Sequence, residues 1–211
     1  METVPVGDLK REQILRAAAA EFAKNGYAKA STNVIIREAG VSKGLLFHYF
    51  GAKRELYLAV VDDCIDQTVS TAFDHFDELP KDLIERLIEI SHRKLAFVST
   101  HPEASRILYH AFMENPPELE AELSERRARL EAQYMPPVLE NIDRSLFRDG
   151  VDPDLAISLV SGVLSVIIER MVTYAPHSGD SDLTELQTRA HDTYEDMLRM
   201  IQYGIYRAGS E

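Results

Sequence analysis

Two hundred and eleven residues, 45% of them apolar, are enough to bury a substantial core and too apolar for intrinsic disorder. The lone cysteine, Cys64, excludes an internal disulfide framework and a Cys-rich zinc site. The net charge of −12 is uneven: residues 1–60 carry +3 and the remainder −15, so only the first sixty residues suit a polyanion. The opening METVPVGDLK lacks the apolar stretch of a signal peptide. The longest run free of charge and histidine, Leu155–Ile168, has 14 residues, too few to span a bilayer. A cytoplasmic protein with no membrane partner is expected.

Apolar residues recur at spacings of three and four, and no segment alternates strictly for more than a few positions, so the fold is expected to be all-α, with about nine helices. Leu9–Lys24 is amphipathic, with Ile14, Leu15, Ala18 and Phe22 on one stripe, and Asn25-Gly26 stops it. Thr32–Ala39 and Ser42–Phe50 are short helices, the first capped by Thr32. Ala52–Phe76 is a long one, with Leu56, Val60, Cys64 and Val69 near one face. Pro80 opens a helix to about Thr100, and Pro102 another to Met113, ended by Asn115-Pro116-Pro117. Glu118–Gln133 follows, kinked or divided by Pro136-Pro137 before continuing to about Phe147. Asp152-Pro153 starts a helix that runs to Tyr174, and a last one spans roughly Leu183–Tyr206. No internal repeat is present.

The segment STNVIIREAGVSKGLLFHYF, Ser31–Phe50, carries the most information. Helix, short glycine-containing turn, helix is the helix-turn-helix unit, whose second helix enters a DNA major groove. Leu46 and Phe50, four apart, can anchor the back of that helix, leaving Lys43, Gly44, Leu45, Phe47 and His48 toward the outside. Leucine and phenylalanine can meet thymine methyls, Gly44 lets the backbone approach closely, and Lys43 can donate to guanine. His48, Tyr49 and Lys53 can hold phosphates. From spacing alone, an ordinary helical hairpin with a partly buried aromatic cluster fits as well.

From Leu9 to Val60 the chain strongly resembles the TetR family of one-component transcriptional regulators. FAKNGY (Phe22–Tyr27), AGVSKG (Ala39–Gly44), HYF (His48–Phe50) and KRELY (Lys53–Tyr57) carry the resemblance. It implies an all-α homodimer with an N-terminal DNA-binding head, residues 1–52, and a ligand-binding and dimerisation body, residues 53–211. By position, it implies that Lys43, Gly44, Leu45 and Phe47 face bases, and that Thr32, Ser42, His48, Tyr49 and Lys53 face phosphates. Leu45 stands where many members have threonine and Phe47 where many have tyrosine, so recognition should lean on apolar contact. Ile36 replaces a usual alanine. The implied partners are a near-palindromic double-stranded operator and a small-molecule effector that releases the repressor by tilting the Ala52–Phe76 helix.

Within the body, the helix after Pro153 is apolar nearly all round, with Ser158, Ser161, Gly162 and Ser165 forming a stripe of small residues. The last helix offers Tyr194, Met197, Leu198 and Ile201, and the two pairs of helices are expected to form a four-helix seam across a two-fold axis. Polar groups beside apolar stripes make His92, Tyr109, His110, Arg127 and Tyr134 candidate effector contacts, with Phe97, Phe112, Met113 and Tyr174 as walls. No cofactor and no metal are expected: a di-iron bundle needs two Glu-x-x-His pairs, and Glu89–His92 is alone. His-Glu-x-x-His, a phosphate-binding glycine loop and a Gly-x-Ser-x-Gly elbow are all missing from the sequence, so no enzyme is expected. The alternatives are a metal-containing helical-bundle enzyme and a protein-binding helical domain.

Overall fold

The computed structural model describes residues 6–72, 76–160, 162 and 183–205. Helices dominate, and packing divides the chain into two compact units. The first comprises Met1–Thr68 and His101–Ser124, the second Val69–Thr100 and Glu125–Glu211.

Helix α1 (Val6–Lys29) buries Ile14, Ala18 and Phe22, the stripe expected from spacing. The helix is interrupted at Gly26 (φ 63°, ψ 179°), where the sequence places its stop, and a further short turn follows to Lys29. Next come α2 (Thr32–Ala39), α3 (Lys43–Phe50) and α4 (Lys53–Ala72). The cap of α2 is Ser31, in extended conformation, and Thr32 is its first helical residue; the Ser31 N–H donates to Glu21 Oε1 at 2.8 Å, tying the start of α2 to α1. Although Pro102 opens α6 (Pro102–Phe112) far along the chain, this helix packs on α1. His110 makes the join: its Nε2 lies 3.3 Å from the Ala23 carbonyl and its Nδ1 2.7 Å from Glu114 Oε2. Its ring would also lie 3.7 Å from a Cβ placed on Gly26, ordinary contact distance. Tyr57 of α4 is wholly buried between rings, edge-on to Phe22 at 4.8 Å and tilted against Tyr27 at 5.1 Å.

The second unit is built on α5 (Leu83–Thr100), the C-terminal part of α7 (Glu120–Leu139), α8 (residues 153–160) and α9 (Leu183–Ile205). Pro80 precedes α5 by a turn; the helix begins where Asp82 Oδ1 accepts the N–H groups of Ile84 and Glu85 at 2.8 and 3.0 Å. Leu83, Leu87, Ile90, Val138, Phe147, Val160 and Leu198 share one core. A buried arginine closes it. Arg86 donates from Nε to the Pro80 carbonyl at 2.5 Å, and from Nη1 to those of Val138 and Glu140 at 3.1 and 2.6 Å. The Val138 and Glu140 carbonyls lie at the end of α7, where a cation is favoured by the helix dipole.

Pro136 and Pro137 neither divide α7 nor precede a continuation to Phe147. They sit in its last turns, where they forgo only the bonds to the carbonyls of residues 132 and 133. Asn141 then takes a positive φ (56°), and a 3₁₀ turn spans Arg144–Leu146. Asp152 caps α8 as expected, its Oδ1 accepting the Asp154 N–H at 2.9 Å. The expected extension of α8 to Tyr174, and that of α9 to Tyr206, lie outside the described residues, as does the stretch from 73 to 75 in the helix expected to reach Phe76.

Candidate nucleic-acid interface

The turn between α2 and α3 is set by its backbone bonds. Gly40 adopts the left-handed conformation (φ 61°, ψ 37°), its N–H donates to the Arg37 carbonyl at 3.2 Å, and the Val41 N–H donates to that of Ile36 at 3.2 Å. This pair of bonds satisfies the end of α2 and turns the chain sharply, at a φ that disfavours a residue with a Cβ. Ser42 then caps α3, its Oγ accepting the Leu45 N–H at 3.2 Å. Leu46 and Phe50 are buried, as are Ile35 and Ala39 of α2. Two apolar anchors four residues apart fix the rotation of α3, and everything off that line faces outward.

That outward set is the expected one. Ser42, Lys43, Gly44 and His48 are exposed; Leu45, Phe47 and Tyr49 are half-buried at the rim. Lys43 Nζ lies 5.8 Å from the centre of the Phe47 ring, so the ammonium and the ring occupy one face, one turn apart. Nothing lies within 4 Å of a Cβ added to Gly44. Backbone N–H groups at the start of α3 and the Lys43 charge make this end attractive to a polyanion.

Lys53 and Thr32 are placed less freely than spacing suggests. Both are half-buried. Lys53 Nζ donates to the Ala28 carbonyl at 3.2 Å and stands 4.9 Å from the centre of the Tyr27 ring. Burial, the largest influence, lowers its pKa below the ordinary lysine value, opposed by Glu118 and Glu21. In the free protein it therefore caps the end of α1. Spacing missed Arg11, whose guanidinium stands 5.5 Å from the centre of the Phe50 ring and adds positive charge beside α3.

The expected effector contacts are divided between the two units. Tyr109, Phe112 and Met113 are half-buried in the first unit, while His92, Phe97, Arg127 and Tyr134 belong to the second. Phe97 is buried and Arg127 exposed; the Tyr134 hydroxyl accepts from Gln133 Nε2 at 3.1 Å. Tyr174 lies outside the described residues.

Of the expected seam residues, Ser161 and Ser165 lie outside the described residues. Ser158 and Gly162 are exposed, on a line with Leu155 and Leu159, which are 69% and 54% exposed. On α9 the expectation requires correction at Leu198, which is wholly buried in the core of its own unit; Tyr194, Met197 and Ile201 are half-buried and pack against that core. The strongest apolar stripe of an amphipathic helix goes to its own core. Met200 and Tyr203, 65% and 85% exposed, mark the outer face of α9.

The geometry has counterparts among known proteins. The family model for bacterial regulatory proteins of the tetR family matches residues 14–60, the segment from α1 through the start of α4. The HTH-type transcriptional repressor SCO4008 of Streptomyces coelicolor is 33% identical over 177 residues, covering 81% of this chain and 85% of its own. The HTH-type transcriptional repressor AcnR of Corynebacterium efficiens is 24% identical over 83% of this chain and 89% of its own. Among solved structures, the transcriptional regulator FadR of Bacillus subtilis in complex with stearoyl-CoA covers 93% of this chain and 100% of its own, with a TM-score of 0.65 at 19% identity. Among the described residues no helix is long and apolar enough to cross a membrane. With a family match lying on the helix-turn-helix and a relative of that identity aligned along most of both chains, the protein belongs to the TetR family of bacterial transcriptional regulators.

Proposed function

We propose that this protein is a dimeric repressor that reads a near-palindromic operator with α3 and releases it when a small molecule fills the C-terminal body. The observation that carries the reading is the presentation of α3: Leu46 and Phe50 hold it from behind while Lys43, Gly44 and Phe47 stand at the outer side. Lys43, Gly44, Leu45 and Phe47 meet base edges; Ser42, His48 and Tyr49 meet phosphates, with Thr32 at the margin. Lys53 joins them only by leaving the Ala28 carbonyl. Residues 1–52 serve as the DNA-binding domain and residues 53–211 as the body.

Dimerisation supplies the second recognition helix, placing two copies about 34–36 Å apart or a multiple of that spacing. The exposed apolar residues Leu155 and Leu159 of α8 and Met200 and Tyr203 of α9 support a seam there, since a lone chain rarely leaves such side chains to water on neighbouring elements of one unit. The occurrence of stearoyl-CoA in a FadR structure of this fold supports a body that accepts a small molecule. Release requires that the effector bind one head separation more tightly than the other.

Fluorescence anisotropy with duplexes tiled from the DNA flanking the protein's own gene tests the reading. One duplex is expected to bind two chains far more tightly than random DNA, with affinity falling steeply as salt rises. Equal affinity for every duplex, unaltered by Lys43→Ala, would remove it.

A further inference from the structure

Outside the DNA-reading face, the second unit brings together three side chains that the sequence keeps about a hundred residues apart. His92 of α5 and His191 and Glu195 of α9 each offer one donor atom, and these atoms all lie within 4.8 Å of one another. His191 and Glu195 are one helical turn apart, so they lie on one face of α9, and α5 packs against that face. We infer that His92, His191 and Glu195 form a binding site for a divalent first-row transition cation of the zinc class.

The distances favour an ion over a hydrogen-bonded triad. Glu195 Oε2 stands 3.7 Å from His92 Nε2 and 3.8 Å from His191 Nε2. Both separations exceed a hydrogen bond, which needs about 2.7–3.2 Å. Donors about 2.0–2.2 Å from one tetrahedral zinc lie roughly 3.3–3.6 Å from each other, so the two Glu195 separations need close by only a few tenths of an ångström. Side-chain rotation of the exposed His92 brings the whole set, now within 4.8 Å, to coordination distance. The two imidazole rings are tilted by 48° to one another with centroids 4.7 Å apart.

The surroundings prepare each donor. His191 Nδ1 lies 2.7 Å from Ser91 Oγ, so an Nδ1–H donated to that hydroxyl leaves the Nε2 lone pair as the donor. Glu195 offers its other oxygen, Oε1, to Arg199 at 3.7 Å, which also pairs with Glu85. The carboxylate is thus held from behind with Oε2 toward the imidazoles. His92 is exposed and His191 nearly buried, giving a site with an open side where water or an incoming ligand completes the coordination. Two imidazoles and one carboxylate select zinc, cobalt or nickel over magnesium and calcium, which prefer all-oxygen sets. Glu89, the acid three residues before His92, takes no part: it accepts from Arg93 Nε at 2.8 Å. The inference stands independently of operator binding.

The test uses the untagged full-length chain, stripped with a chelator and titrated with Zn²⁺ against a chromophoric competitor, and separately with Co²⁺ followed in the visible. One equivalent of Zn²⁺ per chain and the intense d–d bands of low-coordinate cobalt are expected. His92→Gln, at an exposed position, and Glu195→Gln should each weaken Zn²⁺ binding at least tenfold, and Ser91→Ala by about 10–100-fold through the freed His191 ring. Far-UV circular dichroism identifies which variants keep their helices, and any one that does is decisive. Less than one equivalent bound, or binding undiminished in His92→Gln and Glu195→Gln, overturns the site. Mg²⁺ binding as tight as Zn²⁺ overturns the assignment of cation class.

Discussion

Gly44→Ala separates the stability of α3 from its use. The position is the second residue of the helix, it is exposed, and an added Cβ meets nothing within 4 Å in the free protein. Glycine inside a helix costs roughly 0.5–1 kcal/mol relative to alanine through its greater backbone freedom when unfolded. Substitution at the first turn should therefore stabilise the chain by about 0.5 kcal/mol, raising Tm by about 1–2 °C for a protein of this length. If the backbone of α3 lies against base edges, the same methyl group occupies space the duplex needs. Operator affinity should then fall at least tenfold, or about 1.4 kcal/mol. Urea unfolding and anisotropy on one preparation read both quantities. Opposite signs cannot come from damage to the head, because a damaged head loses both. Unchanged operator affinity in a stabilised variant would refute the close approach of α3 through this residue.

Lys43→Ala should cost about 1–3 kcal/mol on the best duplex and little on random DNA, whereas Lys53→Ala should weaken all duplexes alike and reduce the salt slope by about one, as anisotropy at several salt concentrations would show. Arg86→Met leaves the carbonyls of Pro80, Val138 and Glu140 without their donor, a loss of about 2–4 kcal/mol on urea unfolding and a Tm lower by about 5–12 °C. The buried Tyr57 hydroxyl has no hydrogen-bond partner among the described residues, so Tyr57→Phe should leave stability unchanged or raise it by about 1 kcal/mol. Leu159→Glu should halve the mass seen by light scattering; wild-type protein already running as one chain would remove the seam.

The head was legible because its determinants are local. Gly40 and Ser42, two residues apart, fix the turn and the next cap, and Leu46 with Phe50 fixes which side of α3 faces in; each acts over less than two helical turns. What spacing could not supply is the third dimension. Nothing near Pro102 announces that α6 will pack on α1 through His110, nor does KRELY reveal that Lys53 reaches back to Ala28. Helix starts that depend on a side chain were likewise displaced. Proline suggested Pro80 as the opening of α5, yet Asp82 decides it, because two N–H groups find their acceptor there.

The body shows which side of a helix periodicity finds first. A helix serving two neighbours carries two stripes, and counting apolar residues finds the stronger, which on α9 runs through Tyr194, Leu198 and Ile201 into the unit's own core. The weaker stripe is visible only as an anomaly, Met200 and Tyr203 standing among polar positions, and becomes interpretable once the core side is known. The same residue-by-residue logic separates His92 from His191. A search for Glu-x-x-His motifs finds His92 of α5 without a second pair and passes over His191 of α9 altogether. Their meeting with Glu195 depends on the packing of α5 on α9, so a site built across two helices stays invisible until the helices are brought together.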